Sequence, residues 1–205
     1  MIRAAKILAL SFLALWLSQP VSAQANATAT ETVERLNKTL LQVMQEAQAL
    51  GYAGRYDTLA PVLEDSFDFA LMARVAVGRH WKGLNGEQKS ELVESFSQLS
   101  IATFAARFDG YSGEAFQVNG ETSQRKNTVL VSNTLVKSSG ETIPLNYLLR
   151  EIDGQWRIID VYLDAKYSEL ALKRSEYSSV VEREGFDGLI GVMRDKIAEI
   201  TPNDG

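Results

Sequence analysis

The chain has no cysteine and a single histidine, His80. Without cysteine it forms no disulfide, offers no thiolate as nucleophile or zinc ligand, and cannot be anchored through a lipidated cysteine, so its stability must come from a packed core. One histidine removes, in practice, the Ser-His and Cys-His nucleophile pairs and every multi-histidine metal site. No glycine-rich phosphate loop follows an extended run, and no calcium-loop pattern occurs. Long apolar stretches are scarce too: Ile7 to Leu17 falls well short of the roughly 20 residues that span a bilayer. Basic residues are outnumbered, 21 against 26 acidic, for a net charge of −5. That balance argues against nucleic acid as a partner and against a basic patch holding the chain on an anionic membrane.

What is present begins with an address. Met1 to Ala23 has a basic start at Arg3 and Lys6, an apolar run, a break at Pro20 and the small-residue ending Val21-Ser22-Ala23, the three-part pattern of a secretory signal peptide. Its removal leaves residues 24–205 as one domain with a balance of −7. An exported, disulfide-free chain of this size points to a bacterial periplasm.

Residues 142 to 163 read as two strands joined at Asp153-Gly154, because a type I′ turn needs positive φ at both central positions. Counting outward from that turn pairs Glu151 with Trp156, Leu149 with Ile158, Tyr147 with Asp160 and Leu145 with Tyr162. One face is then broad, apolar and aromatic; the other carries Arg150 opposite Arg157. Extended runs at about 114 to 121 and 127 to 138 bring the total to four antiparallel strands.

Helices flank these strands. Val33, Leu36, Leu40, Val43 or Met44, Ala47 and Leu50 form a stripe ended by Gly51, and a shorter helix spans Arg55 to Asp65. Asp68 caps Phe69 to Val77, with Gly78 as the stop. Asn85 and Gln88 make a capping-box variant that opens a long helix to about Phe108, striped by Leu92 or Val93, Phe96, Leu99, Phe104 and Phe108. After the strands, residues 168 to 184 form a helix ended by Gly185, and Asp187 caps a last one through Ile200. Helices, then strands, then helices is the α+β pattern.

Three groups invite a chemical reading. Glu64, Asp65 and Asp68 straddle a helix end and a helix start, which suits capping and solvation better than a cation. Gly78-Arg79-His80-Trp81 either offers Arg79 and His80 to an anionic headgroup or partner, or is a turn in which Trp81 plugs the core and His80 bonds a backbone carbonyl. Asp160, placed opposite Tyr147 on the aromatic face, is either a satisfied buried pair, a ligand-orienting group, or the general base of a cone-shaped isomerase or hydratase with a raised pKa.

The run Phe67-Asp68-Phe69 with Met72-Ala73-Arg74 and Gly78-Arg79-His80-Trp81, followed by Glu87-Gln88, resembles the MlaC-type periplasmic lipid-binding family, also called the toluene-tolerance family. The strand Asp153 to Val161 and the ending Arg174 to Tyr177 and Glu184 to Ile190 are similar to it as well, in particular to its hopanoid-associated HpnM branch. The resemblance covers about residues 30 to 200 and implies a shuttle, without chemistry, cofactor or metal, that carries a phospholipid or hopanoid between an inner-membrane MCE/ABC transporter complex and an outer-membrane partner. Exposing the roughly 30 methylenes of a two-chain lipid to water costs on the order of 20 kcal/mol, a barrier that an apolar cavity lowers with no catalytic residue.

The expectation is therefore a monomeric α+β carrier whose four-stranded sheet curves around an apolar cavity roofed by helices. Its ligand-binding residues are Phe69, Met72, Phe96, Leu99, Phe104 and Phe108 from the helices, with Leu145, Tyr147, Leu149, Trp156, Ile158 and Tyr162 from the sheet. The alternatives are an enzyme using Asp160 and Tyr147, and a periplasmic interaction module with a filled core.

Overall fold

The computed structural model describes residues 27–202. The leader expected over Met1 to Ala23 lies outside the described residues. Among the described residues no helix is long and apolar enough to cross a membrane.

Helix α1 (Ala29–Gln45) starts at a capping box in which Thr28 Oγ1 accepts the Glu31 N–H at 3.1 Å and Glu31 Oε2 accepts the Thr28 N–H at 2.7 Å. Its stripe Val33, Leu36, Leu40 and Val43 is fully buried. Helix α2 (Ala47–Ser66) follows after one residue and leaves helical geometry at Gly51, whose φ of 61° and ψ of −173° only glycine adopts freely. The chain is therefore helical on both sides of Gly51, where the sequence suggested a gap up to Arg55. Gly51 makes the turn alone, and buried Arg55 ties the restart down by donating to the Ala47 carbonyl at 3.2 Å and the Ala105 carbonyl at 2.9 Å.

Asp68 caps α3 (Phe69–Val77) by accepting the Leu71 N–H at 2.9 Å. A 3-10 turn (Gly78–Gly83) leads to α4 (Gly86–Arg107), opened by the Asn85–Gln88 capping box. The last helix, α5 (Glu169–Ile200), breaks at Gly185, φ 74°, as its sequence suggests.

The sheet is an antiparallel meander of β1 (Ala115–Gln124), β2 (Thr128–Val136), β3 (Thr142–Ile152), β4 (Gln155–Leu163) and β5 (Tyr167–Ser168). It has five strands, not four. The added strand is two residues long, too short to show any alternation, and pairs with Tyr162 and Leu163. Asp153 and Gly154 both have positive φ, 50° and 77°, as the hairpin turn requires.

The hairpin register holds only near that turn. Glu151 faces Trp156 and Leu149 faces Ile158, but Leu148 then faces Asp160, Tyr147 faces Val161, Asn146 faces Tyr162 and Leu145 faces Leu163. A bulge at Ile159 inserts one residue into β4, and in a structure of period two a single insertion moves every later side chain to the other face. Asp160 and Tyr162 therefore leave the face expected for them, and Val161 takes their place beside Tyr147.

Helix α1 closes the inner sheet face. Asn37 Nδ2 donates to Asn133 Oδ1 at 2.9 Å, and Thr32 Oγ1 donates to the Trp156 carbonyl at 3.3 Å. Beneath it Val131, Tyr147, Leu149 and Ile158 are fully buried, so this face is core where a cavity floor was expected. Helix α4 packs against α2, α3 and α5 instead. The free edge of β4 is covered by Phe67 and Asp68, whose N–H donates to the Ile158 carbonyl at 2.9 Å, and further along by β5.

Candidate binding site

Beside the buried sheet face, α3, α4, α5 and the inward side of β4 border a cleft of about 410 Å³. Phe67, Phe69, Met72, Leu99, Phe104 and Val161 supply its apolar walls. They come together for local reasons. Asp68 starts α3 with Phe69 pointing inward and Met72 one turn on, while Leu99 and Phe104 lie on the inner side of α4. Val161 reaches the cleft because the bulge turns it inward.

The aromatic rings form a continuous ladder. Phe116, Phe108, Phe104, Phe67, Phe69, Phe96 and Tyr177 follow one another with centroid separations between 5.4 and 6.3 Å. Phe67 and Phe69 are stacked at 5.4 Å and 9°. These two rings also line a second cleft, of about 870 Å³, on the side of α2 that faces Trp81, Val93 and Ile101. They are a shared wall between the two spaces.

The rim of the smaller cleft is charged. Arg107, Lys173 and Lys196 meet Glu169 and Glu199 there, and Lys196 pairs with Glu176. Lys173 Nζ lies 5.9 Å from the Phe96 ring centroid and 5.5 Å from that of Tyr177. Burial pulls its ammonium below the usual lysine range, partly offset by Glu169 and Glu176.

Of the residues expected to bind ligand, Phe69, Met72, Leu99 and Phe104 meet in the cleft. Phe96 is buried behind it, edge-on to Tyr177 at 6.3 Å. Phe108 is half-buried between Phe104 and Phe116 and faces a separate space beside Leu135. Tyr147, Leu149 and Ile158 lie in the core under α1; Leu145 and Trp156 are half-buried against that core. Tyr162 sits opposite Asn146 on the far face.

Sequence reasoning missed Phe67, Val161, Arg107 and Lys173. The signal for Lys173 was there: Leu170, Lys173 and Tyr177 share one face of α5, so a lysine interrupts an apolar stripe. Val161 had none, since a bulge has no marker in this run.

Asp160 is a structural anchor. Its Oδ1 accepts the Val161 N–H at 2.8 Å and the buried Leu170 N–H at 3.0 Å, and its Oδ2 accepts the Ser168 hydroxyl at 2.6 Å. Ser168 Oγ in turn accepts the Ala171 N–H at 2.9 Å, so strand and hydroxyl together cap α5. Burial raises the Asp160 carboxyl above its ordinary value against these donors. The phenol beside it is Tyr162, pushed up by burial first and then by Asp160. The Tyr147 hydroxyl, fully buried, has no partner among the described residues, and burial alone drives its pKa upward. The Asp160–Tyr147 pair on which a catalytic reading depended is not assembled, because the bulge separates its members.

The other two groups resolve into contacts. Asp65 pairs with Arg35 at 2.5 Å. Arg79 pairs with Glu182 at 2.6 Å, and His80 Nε2 is 3.6 Å from the same carboxylate rather than on a backbone carbonyl. Trp81 is half-buried with Lys89 Nζ 5.7 Å from its ring centroid. Among the described residues no group of three or more His, Asp or Glu side chains converges on a metal position.

A buried sheet face beside an aromatic-walled cleft with a charged rim is an arrangement suited to binding an amphipathic ligand. The chain belongs to the MlaC family: the model of that family, described as MlaC protein, matches residues 34–195. Its fold is similar to the solved structure of a phospholipid-binding protein from Ralstonia solanacearum in complex with a phospholipid, at a TM-score of 0.75 and 18% identity over 85% of this chain and 99% of that one. At that identity the likeness is one of fold. No curated protein matches the chain in sequence.

Proposed function

We propose that the protein is a periplasmic lipid carrier that holds the tails of a polar lipid between α3, α4 and α5. The observation that carries this reading is the cleft itself, walled by Phe67, Phe69, Met72, Leu99 and Phe104 and rimmed by charge. A tail placed there leaves water for an apolar wall, which stabilises it by about 0.8 kcal/mol per methylene. About 410 Å³ is near the lower end of ligand pockets, so a two-chain lipid takes more space than this cleft alone offers. The second cleft shares Phe67 and Phe69 with the first and is the further volume on which a two-chain lipid would draw.

The Ralstonia solanacearum protein of similar fold holds a phospholipid, which supports a phospholipid here. The hopanoid-associated branch that the chain's ending resembles extends the cargo to a rigid polycyclic lipid. In either case the carrier acts as a monomer, moving its lipid between an inner-membrane MCE/ABC transporter complex and an outer-membrane partner. It does no chemistry on the way, and Asp160 and Tyr147 keep structural roles. Loading takes place while docked, since a lipid released freely into water meets the barrier that the cleft exists to lower.

Native mass spectrometry of the freshly purified mature protein, followed by organic extraction, tests this. A stoichiometric bound lipid is the expected result and names the cargo. A protein that is empty, and stays empty after incubation with mixed liposomes, would sink the reading and leave an interaction module with a filled core.

A further inference from the structure

Lys173 sits where a carrier of tails alone has no use for it. It lies on the buried stripe of α5 between Leu170 and Tyr177, lines the apolar cleft and is largely withdrawn from solvent. An ammonium largely withdrawn from water is normally held in an ion pair, and Glu169 and Glu176 act on this one only from beyond ion-pair distance. Among the described residues none of the ion pairs includes Lys173, although Lys196, on the same rim, is held by Glu176. What Lys173 has instead are two aromatic faces and a long 3.5 Å contact to the Tyr177 hydroxyl. Arg107, also outside those ion pairs, brings a second cation to the same rim from the end of α4.

From this we infer that Lys173, supported by Arg107, is the subsite for the phosphodiester of the cargo lipid, and so selects phosphate-bearing lipids over uncharged ones. This rests on the carrier reading above and deepens it. Tails against Phe69, Met72, Leu99 and Phe104 leave a headgroup at the level of the rim, where an anion adds to the fields of Glu169 and Glu176 the direct ion pair that Lys173 lacks. A charge-assisted contact in a site of low polarity is strong, and the phosphate offers several acceptors to one lysine and one arginine. An uncharged lipid of equal tail volume leaves Lys173 as it is in the empty protein. Glu169 and Glu199 border the same rim, so the headgroup meets both signs of charge there, and Lys173 is the one that also packs on the Phe96 and Tyr177 rings.

The test uses mature protein stripped of lipid and two probes with the same acyl chains, phosphatidylglycerol and diacylglycerol, offered in neutral detergent micelles and read by native mass spectrometry. The wild type is expected to favour phosphatidylglycerol by about tenfold or more. Lys173→Met, which keeps the stem and removes the charge, is expected to lose that preference; Lys173→Arg is expected to retain it. Equal uptake of both lipids by the wild type, or an equal loss of both in Lys173→Met, overturns the subsite and leaves the carrier standing. Preference for an uncharged hopanoid over phosphatidylglycerol overturns it likewise. Uptake of no lipid at all brings down the carrier reading as well. The wild-type comparison requires no variant to fold.

Discussion

The inner face of the sheet and the cleft between α3, α4 and α5 are built from the same kinds of residue and do opposite things. Under α1 the sheet buries Val131, Tyr147, Leu149 and Ile158 completely, with Asn37 and Asn133 satisfying each other inside. Between the helices, Phe104 stays half-buried, the walls do not meet, and charges gather at the opening. Both carry aromatic rings, so their presence alone does not distinguish the two. The difference is whether a helix lies directly on the surface: α1 lies over the buried sheet residues, whereas α3, α4 and α5 leave a cleft between them. Apolar residues that face a neighbour make stability, and apolar residues that face space make a site.

Two substitutions should separate these regions, and they carry the largest effects. Thr103 lines the cleft from α4, and Thr103→Trp fills it. Lipid recovered per mole of folded protein should fall by about tenfold or more, with the melting temperature within a few degrees of wild type. Leu149→Ala should do the reverse: it leaves a hole beneath α1, destabilises the protein by about 2–5 kcal/mol, and leaves the lipid content of the folded fraction unchanged. Thermal denaturation beside lipid extraction reads both variants. If Leu149→Ala also empties the protein, the sheet face belongs to the lipid site after all and the contrast fails.

The junction of the two regions gives a smaller effect. Asp160 is on the bulged strand of the sheet but caps α5, the wall of the cleft. Asp160→Ala strips the partner from the buried Leu170 N–H and should destabilise the protein by about 1–3 kcal/mol, with lipid content unchanged. Asp160→Asn keeps an acceptor and loses the charge, so it should sit near wild type at neutral pH. Their pH dependence then differs in a defined direction. The native carboxyl is raised above its ordinary 3.8, so the folded state holds the proton more tightly than the unfolded state. The stability this adds is full below 3.8 and is lost as the pH rises through the native value. Urea unfolding from neutrality downward should show that gain in the wild type and not in Asp160→Asn. Equal slopes would mean that the three donors cancel the effect of burial.

These regions were not equally legible beforehand. The α+β order, the Asp68 and Asn85 caps, the Gly78 and Gly185 breaks and the Asp153-Gly154 turn are local signals, each fixed by a backbone requirement that one or two residue types meet, and each is where it was read. The α1 stripe was equally plain, but nothing in its 3.6-residue period says that its partner is the sheet and not α4. The cleft was half visible. Phe69, Met72, Leu99 and Phe104 lie on readable helical faces, whereas Phe67 belongs to a two-residue link, Val161 depends on a bulge, and Lys173 was absorbed into an apolar stripe. The placement of Asp160 opposite Tyr147 shows the cost of assuming an unbroken ladder. One inserted residue, Ile159, turned a candidate catalytic pair into a helix cap and an isolated phenol.

That phenol gives the smallest effect and the finest test of the contrast. Tyr147 is fully buried at the centre of the sealed face, and its hydroxyl has neither donor nor acceptor among the described residues. An unpaired buried hydroxyl carries a desolvation penalty of about 1–3 kcal/mol, and Tyr147→Phe removes it without changing the shape of the ring. The variant should therefore be more stable than wild type, by about 1 kcal/mol, at an unchanged denaturant m-value, and should carry the same lipid. A loss of stability would show that the hydroxyl finds a partner in solution. A loss of lipid would show that the cargo reaches beneath α1, and this buried face would then be the deepest part of the site.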